Sequence, residues 1–133
     1  MKVLVDTSVW SLALRRKKQD ESSSDKVNRL ADLVLSSLVV MIGPIRQELL
    51  SGISNEETFS QLKTKLDPFD DLAIMTPDYV TAAQFYNTCR KNGIQGSHID
   101  FLICAMAHNH NLLIFTTDQD FVKYAQYLPI KLF

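Results

Sequence analysis

Short runs of branched aliphatic residues, separated by longer stretches with helical spacing, limit this chain more than any other feature. KVLVD at 2–6, VVMIG at 39–43, LAIMT at 72–76 and LLIFTT at 112–117 each read as a buried strand, and PIKLF at 129–133 adds a fifth. Strands separated by helix-length segments pair in parallel, because the intervening chain must cross over. The expectation is therefore a single domain spanning 1–133, an α/β three-layer α/β/α sandwich with a central parallel sheet of four or five strands. The connecting segments carry helix signals: 7–16, 25–38, 44–50 with Pro44 at a first helical position and Gly52 past its end, 55–66, 77–93 and 97–110. A short helical turn through Phe121 and Tyr124 follows, and KKQDESSSD at 17–25 is expected to be an exposed loop.

Composition narrows the class of function. With 133 residues, 46% hydrophobic and 22% charged, the chain has the make-up of an ordinary globular protein. Its net charge of -1 argues against coating nucleic acid through overall positive charge, although Arg15, Arg16, Lys17 and Lys18 form a local basic run that suits a solvated helix end. Cys89 and Cys104 form no C-x-x-C pair and read as reduced thiols. The N-terminal MKVLVDTSVW meets an aspartate at position 6, and the greasy segment at 33–43 falls short of a membrane span, so a soluble, cytoplasmic protein is expected.

The carboxylates carry the chemistry. Open parallel sheets bind ligands at the carboxyl ends of their strands. Asp6 ends the first strand and Asp118 follows the fourth, so the two converge if those strands are neighbours; Thr116 lies on the same face as Asp118 if the strand extends that far. Asp100 stands three residues after Ser97 in S-H-I-D, at capping-box spacing, and opens a helix with almost no polar face. Glu48 sits in the short helix after the second strand, flanked by Ile45 and Leu49. Each acid also has a plainer role: Asp6 as a helix N-cap, Asp118 in a turn or cap, Glu48 as a solvated helix residue. Together they make an electrostatic demand, because clustered like charges destabilise a fold unless a cation neutralises them. A hard divalent ion with oxygen ligands, Mg2+ or Mn2+, meets that demand and suits phosphoryl chemistry.

These residues, DTSVW near the start, the Glu in RQELLSG, HIDFLICAMA and TTDQDF, resemble the PIN-domain nucleases, most closely the VapC-type toxins of toxin–antitoxin pairs. The resemblance spans nearly the whole chain. It implies a metal-dependent endoribonuclease in which Asp6, Glu48, Asp100 and Asp118 hold Mg2+ or Mn2+, with Thr7, Ser8 and Thr116 as supporting polar residues and Asp120 as a further candidate for the metal's water shell. It also implies an RNA substrate, a homodimer with two sites along one groove, and an antitoxin whose tail fills that groove.

Other residues are set aside on physical grounds. His108 and His110 are two apart, on opposite sides of a helix, and cannot bind one ion together; His98 is a candidate neighbour of Asp100. Arg46 reads as a surface residue that could reach a phosphate or the antitoxin. A receiver domain would show adjacent acids after the first strand, and a dehalogenase-like fold would show D-x-D, whereas Asp6 is followed by Thr7 and Ser8. Two alternatives stay open: a catalytically silent PIN-like binding module, against which four acids at such electrostatic cost argue, and an RNA-processing PIN nuclease without an antitoxin.

Overall fold

The computed structural model describes residues 1–14 and 20–133. The basic run at 15–18, the end of the helix expected over 7–16 and the first part of the loop expected over 17–25 lie outside the described residues. Among those described, three strands and seven helices follow in the order β1 (Val3–Val5), α1 (Thr7–Leu14), α2 (Glu21–Leu35), β2 (Val39–Val40), α3 (Gly43–Leu50), α4 (Glu56–Leu66), α5 (Thr76–Lys91), α6 (His98–Asn109), β3 (Leu113–Phe115) and α7 (Asp120–Ala125).

The sheet is parallel, in the order β2-β1-β3, with Leu4 opposite Val40 on one side and Ile114 on the other. Val3, Leu4 and Val5 are all buried, as a central strand covered on both faces requires. The β1-to-β2 connection leaves β1 in one direction and the β2-to-β3 connection returns past it. Right-handed crossovers running in opposite directions lie on opposite faces of a sheet. The helices group accordingly, α1 against α2 and α3, and α5 against α6, which also packs on β3.

Two of the five expected strands are not formed. LAIMT touches the sheet only through the Asp71–Met41 bridge and the hydrogen bond from Leu72 N to Met41 O (2.8 Å). The reason lies in its neighbours. β2 stops because α3 starts at Gly43, leaving no ladder to extend, and Pro77 with the Asp78 carboxylate, which accepts from Met75 N (3.0 Å), turns the end of LAIMT into a helix start. PIKLF is likewise reduced to one bridge, Leu132 with Ile114, since Pro129 has no N–H and Ile130 N bonds back to Leu128 O.

The helices follow local signals. Asp20 caps α2 through Ser23 N (2.7 Å), so residues 21–25, expected in a loop, are the first turns of a helix. Asn55 caps α4 through Thr58 N, and Ser97 caps α6 through Asp100 N. In α6 every residue from Phe101 to Ala107 is buried, as its lack of a polar face predicts. Cys89 and Cys104 are buried free thiols within this core. No described helix is long and apolar enough to cross a membrane.

Candidate active site

The carboxyl ends of β1 and β3 lie side by side, and the residues just beyond them form one hydrogen-bonded unit. Asp6 is only 8% exposed. Its Oδ2 accepts from Ser8 Oγ (2.9 Å) and from Thr116 Oγ1 (2.8 Å). The described bonds to its carboxylate thus come from side-chain hydroxyls rather than from backbone N–H groups of the first turn of α1, so Asp6 is not the simple N-cap that its position allows. Thr116 Oγ1 in turn accepts from Asp118 N (3.0 Å), and Ser8 Oγ from Thr117 N (3.0 Å). Two hydroxyls therefore fix the loop after β3 to the carboxylate after β1. That loop turns sharply: Asp118 Oδ1 accepts from Asp120 N (2.9 Å), which leads the chain into α7.

α6 brings the third acid. Ser97 opens the helix, and Asp100 in its first turn is half-buried, with Oδ2 accepting from the Tyr124 hydroxyl of α7 at 2.7 Å. Burial pushes the Asp100 carboxyl above its ordinary value; the hydrogen bonds from Tyr124 and Ser97 pull it down, while the charges of Asp118 and Asp6 push it up again, and the net direction is upward. The same charges reach inward. Burial first, then the Asp100 charge, raises the Cys104 thiol, and burial together with the bond to Asp100 raises the Tyr124 phenol.

Asp100, Asp118 and Asp120 each offer a carboxylate oxygen within 4.8 Å of the others'. Three hard oxygen donors at that spacing, with Asp6 close enough to act on Asp100 electrostatically, suit Mg2+ or Mn2+, whereas nothing in the group suits a soft metal. The donor set fits such an ion, which would relieve the repulsion felt by Asp100. Asp120 also lies 3.7 Å from Lys123 Nζ, an exposed pair.

The remaining sequence candidates differ in their surroundings. Glu48 is exposed on α3 and is not among the three acids whose carboxylate oxygens fall within 4.8 Å of one another. Thr7 begins α1, and no described hydrogen bond links its side chain to an acid. His98 stacks on Tyr86 (ring centroids 5.2 Å apart, planes at 14°), His108 packs near Phe85, and His110 bonds the buried Asp78. Arg46 is neither a free surface cation nor aimed at the acids; it ties α3 to the chain after α4, through Asp71, Leu66 O and Phe69 O. The sequence reading missed Tyr124 as a partner of Asp100, since its position marks it only as an apolar member of a short helix. A cleft of about 650 Å³, lined in part by Lys2, Ser37, Asp71 and His110, opens among residues that precede β1, β2 and β3, and is separate from the acids.

Solved structures share this architecture. FitAcB from Neisseria gonorrhoeae superposes with a TM-score of 0.79 at 24% identity, covering 98% of this chain and 96% of that one. VapBC2 from Rickettsia felis, bound to a DNA fragment from its promoter, gives 0.75 at 18%, covering 100% and 98%. DNA-bound VapBC from Salmonella typhimurium gives 0.72 at 15%, covering 100% and 97%. At these identities the likeness is one of fold. No curated protein matches the chain. The family model for the PIN domain matches residues 3–127, nearly the whole chain, and with the acids gathered at the ends of β1 and β3 this places the protein in the PIN-domain family.

Proposed function

We propose that this chain is a Mg2+- or Mn2+-dependent endoribonuclease, a single catalytic domain over 1–133 that acts in the cytoplasm as the toxin of a toxin–antitoxin pair. The observation that carries the reading is the convergence of Asp100, Asp118 and Asp120 within 4.8 Å, beside the buried Asp6. These four would hold the metal. Glu48 belongs to the set through the family resemblance alone. When bound, the metal supplies a Lewis acid for the phosphodiester and lowers the pKa of an attacking water. The protein's own part is to hold the oxygens in place. Ser8 and Thr116 occupy Oδ2 of Asp6, and the same Thr116 hydroxyl anchors the backbone of Asp118, so two ligands share one support. The antitoxin is supported by the solved relatives FitAB and VapBC, each named as a pair. RNA as substrate and a homodimer enter the proposal through the family resemblance alone.

The test is cleavage of single-stranded RNA by the purified chain with Mg2+ or Mn2+. Cleavage should stop on chelation and fall more than about 100-fold in Asp100→Asn, beyond what loss of a mere outer partner of a metal ligand costs. The metal-free variant should melt at the same temperature as the wild type or higher, because a half-buried carboxylate repelled by its neighbours has been neutralised. Cleavage that survives chelation, or that Asp100→Asn leaves intact, would overturn the proposal.

A further inference from the structure

We propose that Tyr124 is a positioning residue for the acid cluster: its buried hydroxyl holds one oxygen of Asp100 and thereby sets where the other lies. The inference rests on the metal-site reading above and adds to it a residue outside the acid motifs. Tyr124 is fully buried, its ring packed against Phe101 (centroids 5.0 Å apart) and Phe121 (5.2 Å). A fully buried ring packed against two others has little rotamer freedom, so its hydroxyl is a fixed point rather than an adaptable donor. From that point it donates to Asp100 Oδ2 at 2.7 Å, a charge-assisted bond when the carboxylate is ionised. The main chain of Asp100 is pinned separately, through its N–H to Ser97 Oγ (3.1 Å). Backbone and carboxylate are thus fixed from two different elements.

Gly96 supplies the space. A methyl group there would overlap the Tyr124 hydroxyl and stand 2.8 Å from its Cζ and 3.0 Å from Phe101 Cε2. Glycine is needed at this position for close approach, and what approaches is the hydroxyl itself. The arrangement also links two ligand-bearing helices. Asp120 and Tyr124 are four residues apart on α7, hence on one face, so one short helix contributes an acid to the cluster and the donor that orients another.

A plainer role is that Asp100 merely satisfies a buried phenol. That role predicts lost stability in Tyr124→Phe and unchanged metal affinity, so metal affinity decides between the two. Mn2+ dissociation constants would be measured calorimetrically for wild type, Tyr124→Phe, Asp100→Asn and the double variant, well below all their melting temperatures. Tyr124→Phe should bind Mn2+ about 10-fold more weakly, as loss of a ligand's outer partner does, with an unchanged circular dichroism spectrum. Because Tyr124 acts through Asp100, the double variant should bind no more weakly than Asp100→Asn alone. Equal affinity in wild type and Tyr124→Phe overturns the positioning role and leaves the metal site standing, as does a full additional loss in the double variant. A wild type that binds no Mn2+ overturns both. Should Tyr124→Phe fail to fold, Gly96→Ala, which displaces the hydroxyl without removing it, reads the same quantity: weakened Mn2+ binding is expected, and wild-type affinity refutes the role.

Discussion

Asp78 and Asp100 are both withdrawn from solvent, yet their carboxyls shift in opposite directions. Burial alone would raise the Asp78 carboxyl, but hydrogen bonds from Asn109, from the backbone of Met75 and from His110 outweigh it and hold the group below its ordinary value of 3.8. For Asp100 burial dominates: the bonds from Tyr124 and Ser97 do not outweigh it, the charges of Asp118 and Asp6 add to it, and the group goes up. The first environment is that of a structural anchor. The sign of the Asp78 effect sets its pH dependence. Above the unfolded value the carboxylate is charged in both states and its bonds contribute fully; as pH falls toward the lower folded value, the unfolded chain takes up the proton first and that stability is lost. Asp78→Asn should therefore cost about 1–3 kcal/mol near neutral pH, and the cost should shrink below about pH 4. Urea unfolding of both proteins across that range checks it, and a cost independent of pH would show that the charge of Asp78 does not matter.

Between elements, Arg46 illustrates how a residue resembling a surface cation becomes an internal tie. Its guanidinium bonds Asp71 Oδ1 (3.0 Å), Leu66 O (3.0 Å) and Phe69 O, fixing the turn after α4 against α3. The Arg46 side chain is 22% exposed and that of Asp71 43%, so the carbonyl bonds matter more than the ion pair. Arg46→Met should destabilise by about 1–3 kcal/mol, because Phe69 O loses its donor and Leu66 O keeps only the bond from Phe69 N, whereas Asp71→Asn should cost less than about 1 kcal/mol. Chemical denaturation of the two variants separates these outcomes. The turn held by Arg46 leads into LAIMT, whose residues alternate between half-buried (Leu72, Ile74) and exposed (Ala73, Met75). In sequence LAIMT is a nearly unbroken apolar run, which is why it reads as a buried strand. The absence of a ladder beside it was not legible, because it depends on where β2 ends.

For the molecule as a whole, the proposed metal site would couple folding to ion binding. An ion that binds only the folded chain stabilises it by about 2.7 kcal/mol at a hundred times its Kd, which for a chain of this size raises Tm by roughly 10 °C. Mg2+ or Mn2+ should produce such a shift in the wild type and a much smaller one in Asp6→Asn, as scanning calorimetry would register. Equal shifts would place the metal away from Asp6.

The sequence by itself determined the parallel α/β plan, all three strands, the buried α6 and the chain order of the acids, because burial and helix capping are written in neighbouring residues. Asp6 and Asp118 were expected to converge if their strands paired, and β1 and β3 do pair. Only the tertiary structure decided that Asp120 joins Asp100 and Asp118, and that Thr116 bridges Asp6 and Asp118. It alone revealed the bonds from Tyr124 to Asp100 and between His110 and Asp78. These are contacts between residues 24 or more positions apart. Periodicity reports which side of an element is buried, but which polar groups meet there depends on how the elements pack.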